Sequence, residues 1–171
     1  MVEITKLEYN EGLCEVVDSR NKLFMIMNKE DVTKQNLISR KIALLLKDLS
    51  GHGIFGLSQN GTLTVPYENY LPVGQANSDF AIKVLNDTFN AKTNHVVQLA
   101  KIEPNDNYPH FTTVLGMVVS GDKLQEKASL DKNYLWLTPI EFKGLTQLLP
   151  EEWNLLSYLY EEKILKQFMG A

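Results

Sequence analysis

A mixed α/β (α+β) domain that opens on a β-rich segment is the fold class the sequence predicts, and three features predict it. Short apolar runs separated by turn residues recur through the amino-terminal part; one amphipathic helical stripe stands between strand-like runs near residues 79–90; and a strand-like "YLWLT" leads directly into a helix start. The 171 residues suit one compact domain, long enough to bury roughly two-thirds of the surface the unfolded chain exposes. Hydrophobic residues at 44% and charged residues at 22% are ordinary for a globular chain. A net charge of -4 provides no global attraction for nucleic acid or anionic membrane.

Taken in order, "EITKLEY", "LCEVVD" and "KLFMIM" form an expected β-meander, with turns at Asn10-Glu11-Gly12 and Asp18-Ser19-Arg20-Asn21. "NKEDVTKQNLIS" is polar and reads as a short helix or a loop. "RKIALLLKDL" is apolar enough for a strand buried on both faces, with a helix as the alternative. "SGHG" turns into "IFGLSQ", and Asn60-Gly61 is a hairpin signal ahead of "TLTVPYE". In the helix that follows, Asn77 or Ser78 can cap, Phe80, Ala81, Val84, Leu85, Thr88 and Phe89 share one stripe, Lys83 and Asp87 lie off it, and Asn90 can end it in the left-handed conformation. "HVVQLAKIE" and "FTTVLGMVVSG" are strands flanking the polar "PNDNYPH". A polar stretch, "DKLQEKASLDKN", precedes "YLWLT". Thr138 as cap, Pro139 at the first helical position and Glu141 closing a capping box start the next helix. A last amphipathic helix is expected over about residues 150–168, packing through Trp153, Leu156, Leu159, Tyr160 and Ile164.

A single cysteine, Cys14, cannot form an internal disulfide and excludes a cysteine-rich zinc site. With no basic-then-apolar leader and no long apolar span, the expected compartment is the cytoplasm. His52, His95 and His110 lack the spacing of a helical metal pair, and no Gly-x-Ser-x-Gly elbow supports a hydrolase triad. "SGHGIFG" matches neither the phosphate-binding loop nor the dinucleotide fingerprint, so a hairpin turn accounts for it. Glu151-Glu152 suits the dipole at the start of the final helix, and Glu161-Glu162 suits a solvated face. Asp106, Tyr108 and His110 in "EPNDNYPHF" either form a solvent loop or overhang a ligand site.

The order of strand, hairpin, "YLPVG", helix, two strands, "YLWLTPIEF" and final helix, over about residues 39–168, resembles the Nudix hydrolase superfamily. That family carries a Leu-Pro-x-Gly turn and the helical pattern Arg-Glu-aliphatic-x-Glu-Glu-x-Gly-aliphatic. "LPVG", ending at Gly74, matches the turn. The helix matches with Lys83 at the arginine, Val84 at the first glutamate, Leu85 at the aliphatic, Asp87 and Thr88 at the glutamate pair, Asn90 at the glycine and Ala91 at the last aliphatic. This alignment shortens the loop between glycine and helix; a gap-free count from Gly74 instead sets Phe80 at the outer glutamate and Thr88 at the arginine, and fits less well. Residues 1–38 resemble the β-rich extension with which ADP-ribose pyrophosphatase-like members dimerise.

The resemblance implies a Nudix-like mixed sheet sandwiched between helices, in a domain over residues 39–171 behind an amino-terminal extension over 1–38. Nudix hydrolysis holds divalent cations on clustered carboxylates against a diphosphate. Here the box is degenerate: Asp87 remains as candidate metal ligand and catalytic acid, Asp79 stands nearby as a second acid, and Val84 cannot ligate. The expected role is therefore binding of a nucleotide, a nucleic-acid end or a protein partner without metal-dependent hydrolysis. The ligand-binding candidates are Gly74, Lys83, Tyr108 and His110. The alternatives are an atypical hydrolase of nucleoside diphosphate derivatives, drawing on Glu68, Asp79, Asp87, Glu103 or Asp106 and needing Mg or Mn, and a structural or assembly subunit. Otherwise no cofactor is expected; the expected partners are a nucleotide-like small molecule, another protein or a second copy in a homodimer, and no membrane.

Overall fold

A computed structural model describes residues 12–93 and 95–170, so the strand expected at "EITKLEY" lies outside the described residues. One mixed sheet of nine strands runs through the molecule among these residues. Strands β1 (Leu13–Val17) and β2 (Leu23–Asn28) form an antiparallel hairpin, followed by helix α1 (Lys29–Gln35). Asn28 caps α1 through its side chain, and Asn36 ends it in the left-handed conformation, which resolves the polar segment as a helix.

The central strand is β3 (Ser39–Lys47), and its run Ile42 to Leu46 is buried throughout, as a strand covered on both faces must be. On one edge it pairs in parallel with β8 (His110–Val118) from Ser39↔His110 to Lys47↔Val118. Its other edge is shared by β1, β6 (Tyr67–Tyr70) and β4 (Gly53–Leu57), all antiparallel. β4 also pairs with β5 (Leu63–Thr64) and β9 (Tyr134–Leu137), and β7 (Val96–Ile102) pairs with β8.

Side chains alternate along β3, so its odd and even positions feed different layers. Ile42, Leu44 and Leu46 pack with helix α2 (Asn77–Phe89) through Phe80, Ala81, Val84, Leu85 and Phe89, and with Leu124 of α3 (Gly121–Leu130). Ala43 and Leu45 pack with α4 (Pro139–Gly144), α5 (Leu155–Glu161) and α6 (Ile164–Met169) on the opposite face. The sheet is thus sandwiched between helices. Gly116 lets α6 approach, because a Cβ there would lie 2.6 Å from the Phe168 ring.

Several expectations are corrected. The α2 cap residue is Ala76, with no side-chain cap, because the helix begins at Asn77 and places both expected caps inside its first turn. "DKLQEKASLDKN" contains α3: a single buried Leu124 on a polar helix leaves too narrow an apolar stripe to read. The last helix is two helices. Asn154 caps α5, Lys163 adopts φ 62° between α5 and α6, and Glu151-Glu152 lies ahead of both. Tyr160, expected to pack on the sheet, is 40% exposed. The capping box of Thr138 and Glu141 and the left-handed Asn90 agree with expectation. No helix among the described residues is long and apolar enough to cross a membrane.

The α2 stripe is the main link between helix and sheet on that face. Leu85→Ala, at a site with no exposure, should lower stability by about 2–5 kcal/mol in chemical denaturation, whereas Ile82→Ala, on the 42%-exposed side of the same helix, should change it by less than about 0.5 kcal/mol.

Candidate functional site

The turn Leu71 to Gly74 is tied down from two directions. Leu71 N–H donates to the Arg40 carbonyl at 3.0 Å, and Val73 N–H donates to the Leu13 carbonyl at 3.2 Å. Gly74 takes φ 77°, a conformation open to glycine at little cost, and turns the chain into α2. Two hollows draw on this turn.

The larger is a cleft of about 730 Å³, walled by Gly74 to Asn77 at the amino end of α2, by Arg20 and Asn21 of the β1–β2 turn, by Arg40, Lys101 and Thr113 of the sheet, and by Glu103 just after β7. Arg40 lies on the α2 face with Ile42, held by an ion pair to Glu15 and by donation from Nε and Nη2 to Asn21 Oδ1 and carbonyl at 2.8 and 2.7 Å. Asn77 Nδ2 donates to Thr113 Oγ1 at 3.3 Å, linking the helix start to β8. The amino end of a helix carries partial positive charge and unfilled N–H donors, and α2 has no side-chain cap. Arg20, Arg40 and Lys101 and a helix start therefore share one cleft with two carboxylates, Glu15 and Glu103; Lys41 also borders it but has its ammonium beside Glu68. Such a surface suits an anion with several oxygen acceptors.

The smaller hollow, about 150 Å³, is lined by Lys29, Tyr67, Asn69, Pro72, Phe80, Lys83, Val84, Asp87 and Thr88. Asp87 is its one carboxylate, Val84 is 6% exposed and belongs to the core, and two lysines share the lining. A divalent cation needs several hard oxygen ligands with net negative charge, so this lining does not fit one. Among the described residues no group of three or more His, Cys, Asp or Glu side chains could hold a metal ion. Asp79 is exposed in the first turn of α2, outside the lining of either hollow.

Tyr108 and His110 depart from expectation. They pack against each other edge to face at 5.1 Å between ring centroids, on the sheet face opposite α2, and are 7% and 8% exposed. Tyr108 donates its hydroxyl to Glu68, Lys41 Nζ lies 3.7 Å from the same carboxylate, and Trp153 packs 4.7 Å from the Tyr108 ring. Burial, and then the Glu68 charge, push the Tyr108 hydroxyl pKa far up, so it remains a donor. His110 Nδ1 and Ser39 Oγ are 2.8 Å apart, the composition of a nucleophile and base, but Ser39 has no exposure to admit a substrate. The cluster braces the "PNDNYPH" loop against β3 and β6. Neither ring borders the α2 hollows because residue parity in β8 sends His110 to one face and Thr113 to the other. Cys14 is buried, and burial raises its thiol pKa, so it is an inert core residue.

The chain is similar to the solved structure of DR0079 from Deinococcus radiodurans, with a TM-score of 0.64 and 13% identity over 88% of this chain and 98% of that one. The fold is Nudix-like. NrtR of Shewanella oneidensis is similar at a TM-score of 0.48 and 13% identity, over 74% of this chain and 77% of that one. No family model and no curated protein matches the sequence. At 13% identity the likeness extends to the Nudix-like fold and assigns no residue a role. Of the residues anticipated at the site, the fold sets Gly74 on the larger cleft, Lys83 and Asp87 on the smaller hollow, and Tyr108 and His110 inside. Arg20, Arg40 and Lys101 were not anticipated. The available signal was a basic residue at the end of each otherwise apolar strand run, in "RKIALLLK" and "VVQLAKI".

His110 provides a pH test. Burial, and then the Lys41 charge, lower its pKa from 6.5 to about 4, so the unfolded chain takes up the proton first as pH falls. The stabilisation is fully present above pH 6.5 and is lost progressively between 6.5 and about 4. Denaturation of the wild type from pH 7 to 4.5 should show a decline on the order of 2–3 kcal/mol that His110→Gln, whatever its own stability, lacks.

Proposed function

We propose that the protein binds a nucleotide-like anion in the cleft at the amino end of α2 and does not hydrolyse it by a metal-dependent route. The observation that carries this reading is the convergence of Arg20, Arg40 and Lys101 with an uncapped helix start on one cleft of about 730 Å³, within the usual size of small-molecule sites. The degenerate box supports it. Val84, aligned with the first glutamate of the Nudix pattern, is core, and Asp87 shares its hollow with Lys29 and Lys83. The acids available to an atypical hydrolase do not gather into a metal-holding group among the described residues: Glu68 is engaged by Tyr108 and Lys41, and Glu103 and Asp106 share a surface hollow beside the larger cleft with no third acid in its lining. In this reading Gly74 admits the ligand close to the backbone, Lys101 and Arg20 contact its phosphates, and Arg40, held by Glu15 and Asn21, presents a fixed positive wall.

The test is a panel of nucleoside diphosphates, ADP-ribose, dinucleoside polyphosphates and capped RNA, followed by thermal shift and by phosphate release with magnesium or manganese. Saturable binding without turnover is expected, about five- to tenfold weaker in Lys101→Ala and in Arg20→Ala and unchanged in Asp87→Ala. Metal-dependent turnover that disappears in Asp87→Ala would overturn the reading in favour of a hydrolase.

A second reading, association with another copy, is favoured by β2. This strand pairs only with β1 among the described residues, and Leu23, Phe24, Met25 and Ile26 are 55%, 71%, 41% and 43% exposed in succession. Four adjacent exposed apolar residues on an edge strand form a patch of the kind interfaces cover. Light scattering after size exclusion should show a homodimer that Phe24→Glu converts to monomer; a wild type that stays monomeric at high micromolar concentration excludes this.

A further inference from the structure

A third cleft, of about 310 Å³, opens between α4 and the elbow joining α5 to α6, on the sheet face opposite the α2 hollows. Phe142, Leu165 and Met169 form its interior with Pro139 and Tyr160, and Phe142 is fixed from behind by stacking on Phe55 at 4.7 Å. Its polar lining is Lys143, Lys163 and Lys166 against the single acid Glu161. None of the three lysines joins an ion pair among the described residues. A chain of net charge -4 therefore concentrates unpaired cations around an apolar cavity.

The backbone makes the same point. Lys163 takes φ 62° and ψ 9°, a region that suits glycine and is uncommon for a side-chain-bearing residue. This residue turns the chain between α5 and α6, so that Lys163 and Lys166 line one cleft with Lys143 of α4. A lysine stands where glycine would form the elbow with less strain.

We infer that this cleft binds a small amphipathic carboxylate, an alkyl or aryl acid whose apolar part enters beside Phe142, Leu165 and Met169 and whose carboxylate meets the lysines. Apolar walls reward burial of a chain or ring, and ammonium groups at the edge select an anionic head over an alcohol. The apolar interior of Phe142, Leu165 and Met169 separates this ligand from the one proposed for the α2 cleft, since it takes a chain or ring in place of a polar nucleotide. A protein partner fits less well: a standard interface covers roughly 800 Å² per side, and the large apolar residues exposed on α4, α5 and α6 are Ile140 and Tyr160 alone among the described residues.

Octanoate and 1-octanol are the probes, titrated into the full chain by calorimetry and by amide chemical shifts. Octanoate should bind saturably, shift the amides of Phe142, Leu165 and Met169, and bind at least about tenfold more tightly than 1-octanol, the worth of a charge-assisted contact. Lys143→Gln, Lys163→Gly and Lys166→Gln combined should lower octanoate affinity by about tenfold or more and leave 1-octanol unchanged. The glycine relieves the elbow, and a thermal melt verifies that the variant is folded. No saturable octanoate binding, equal affinity for the alcohol, full affinity in the triple variant, or shifts that map elsewhere would each overturn the inference. So would capture of an acidic amphipathic peptide without octanoate binding, which would make the cleft a docking site.

Discussion

Parallel pairing of β3 with β8, from Ser39↔His110 to Lys47↔Val118, is the constraint on which the other layers depend. Parallel strands cannot be joined by a tight turn, so the chain between them must cross a face of the sheet, and α2 lies in that crossover. The other edge of β3 is divided among β1, β6 and β4, which makes this one strand the junction of the hairpin, the turn leading to α2 and the β4–β9 arm. Because Ile42, Leu44 and Leu46 face α2 while Ala43 and Leu45 face α5 and α6, a slip of one residue would exchange the two cores.

The ends of β3 and β8 carry polar residues, and the same alternation sorts them. Even-numbered Arg40 joins Thr113 and the start of α2 on one face, where the cleft is open to solvent. Odd-numbered Ser39 and Lys41 join His110, Tyr108 and Glu68 on the other, where Ser39 meets His110, and Tyr108 and Lys41 meet Glu68, with water largely excluded. The first set borders a cleft open to solvent; the second is packed inside, Tyr108 and His110 being 7% and 8% exposed. Function is read here from that difference, since a fold shared at 13% identity assigns no chemistry.

Legibility varied by element for physical reasons. β3 was readable because a strand covered on both faces is continuously apolar, and α2 because five core positions recur at helical spacing. α3 was not, since one buried leucine stabilises a helix whose other positions are polar. The break between α5 and α6 was hidden for a different reason: lysine carries no signal for the left-handed conformation that Lys163 adopts. At the candidate site, Gly74 was legible from its Leu-Pro-Val-Gly turn, while Arg20, Arg40 and Lys101 come from three separate strands or turns whose proximity no local pattern records.

By itself the sequence determined the continuous apolar β3, the stripe of α2, the capping of α4, the left-handed end of α2 and the scarcity of acids on that helix, because these depend on residues a few positions apart. Only the tertiary structure decided that "PNDNYPH" turns Tyr108 and His110 inward, that the basic residues meet at the start of α2, and that three lysines ring an apolar cleft on the far face. Those outcomes follow from strand parity and sheet order, which bring together residues far apart in the chain.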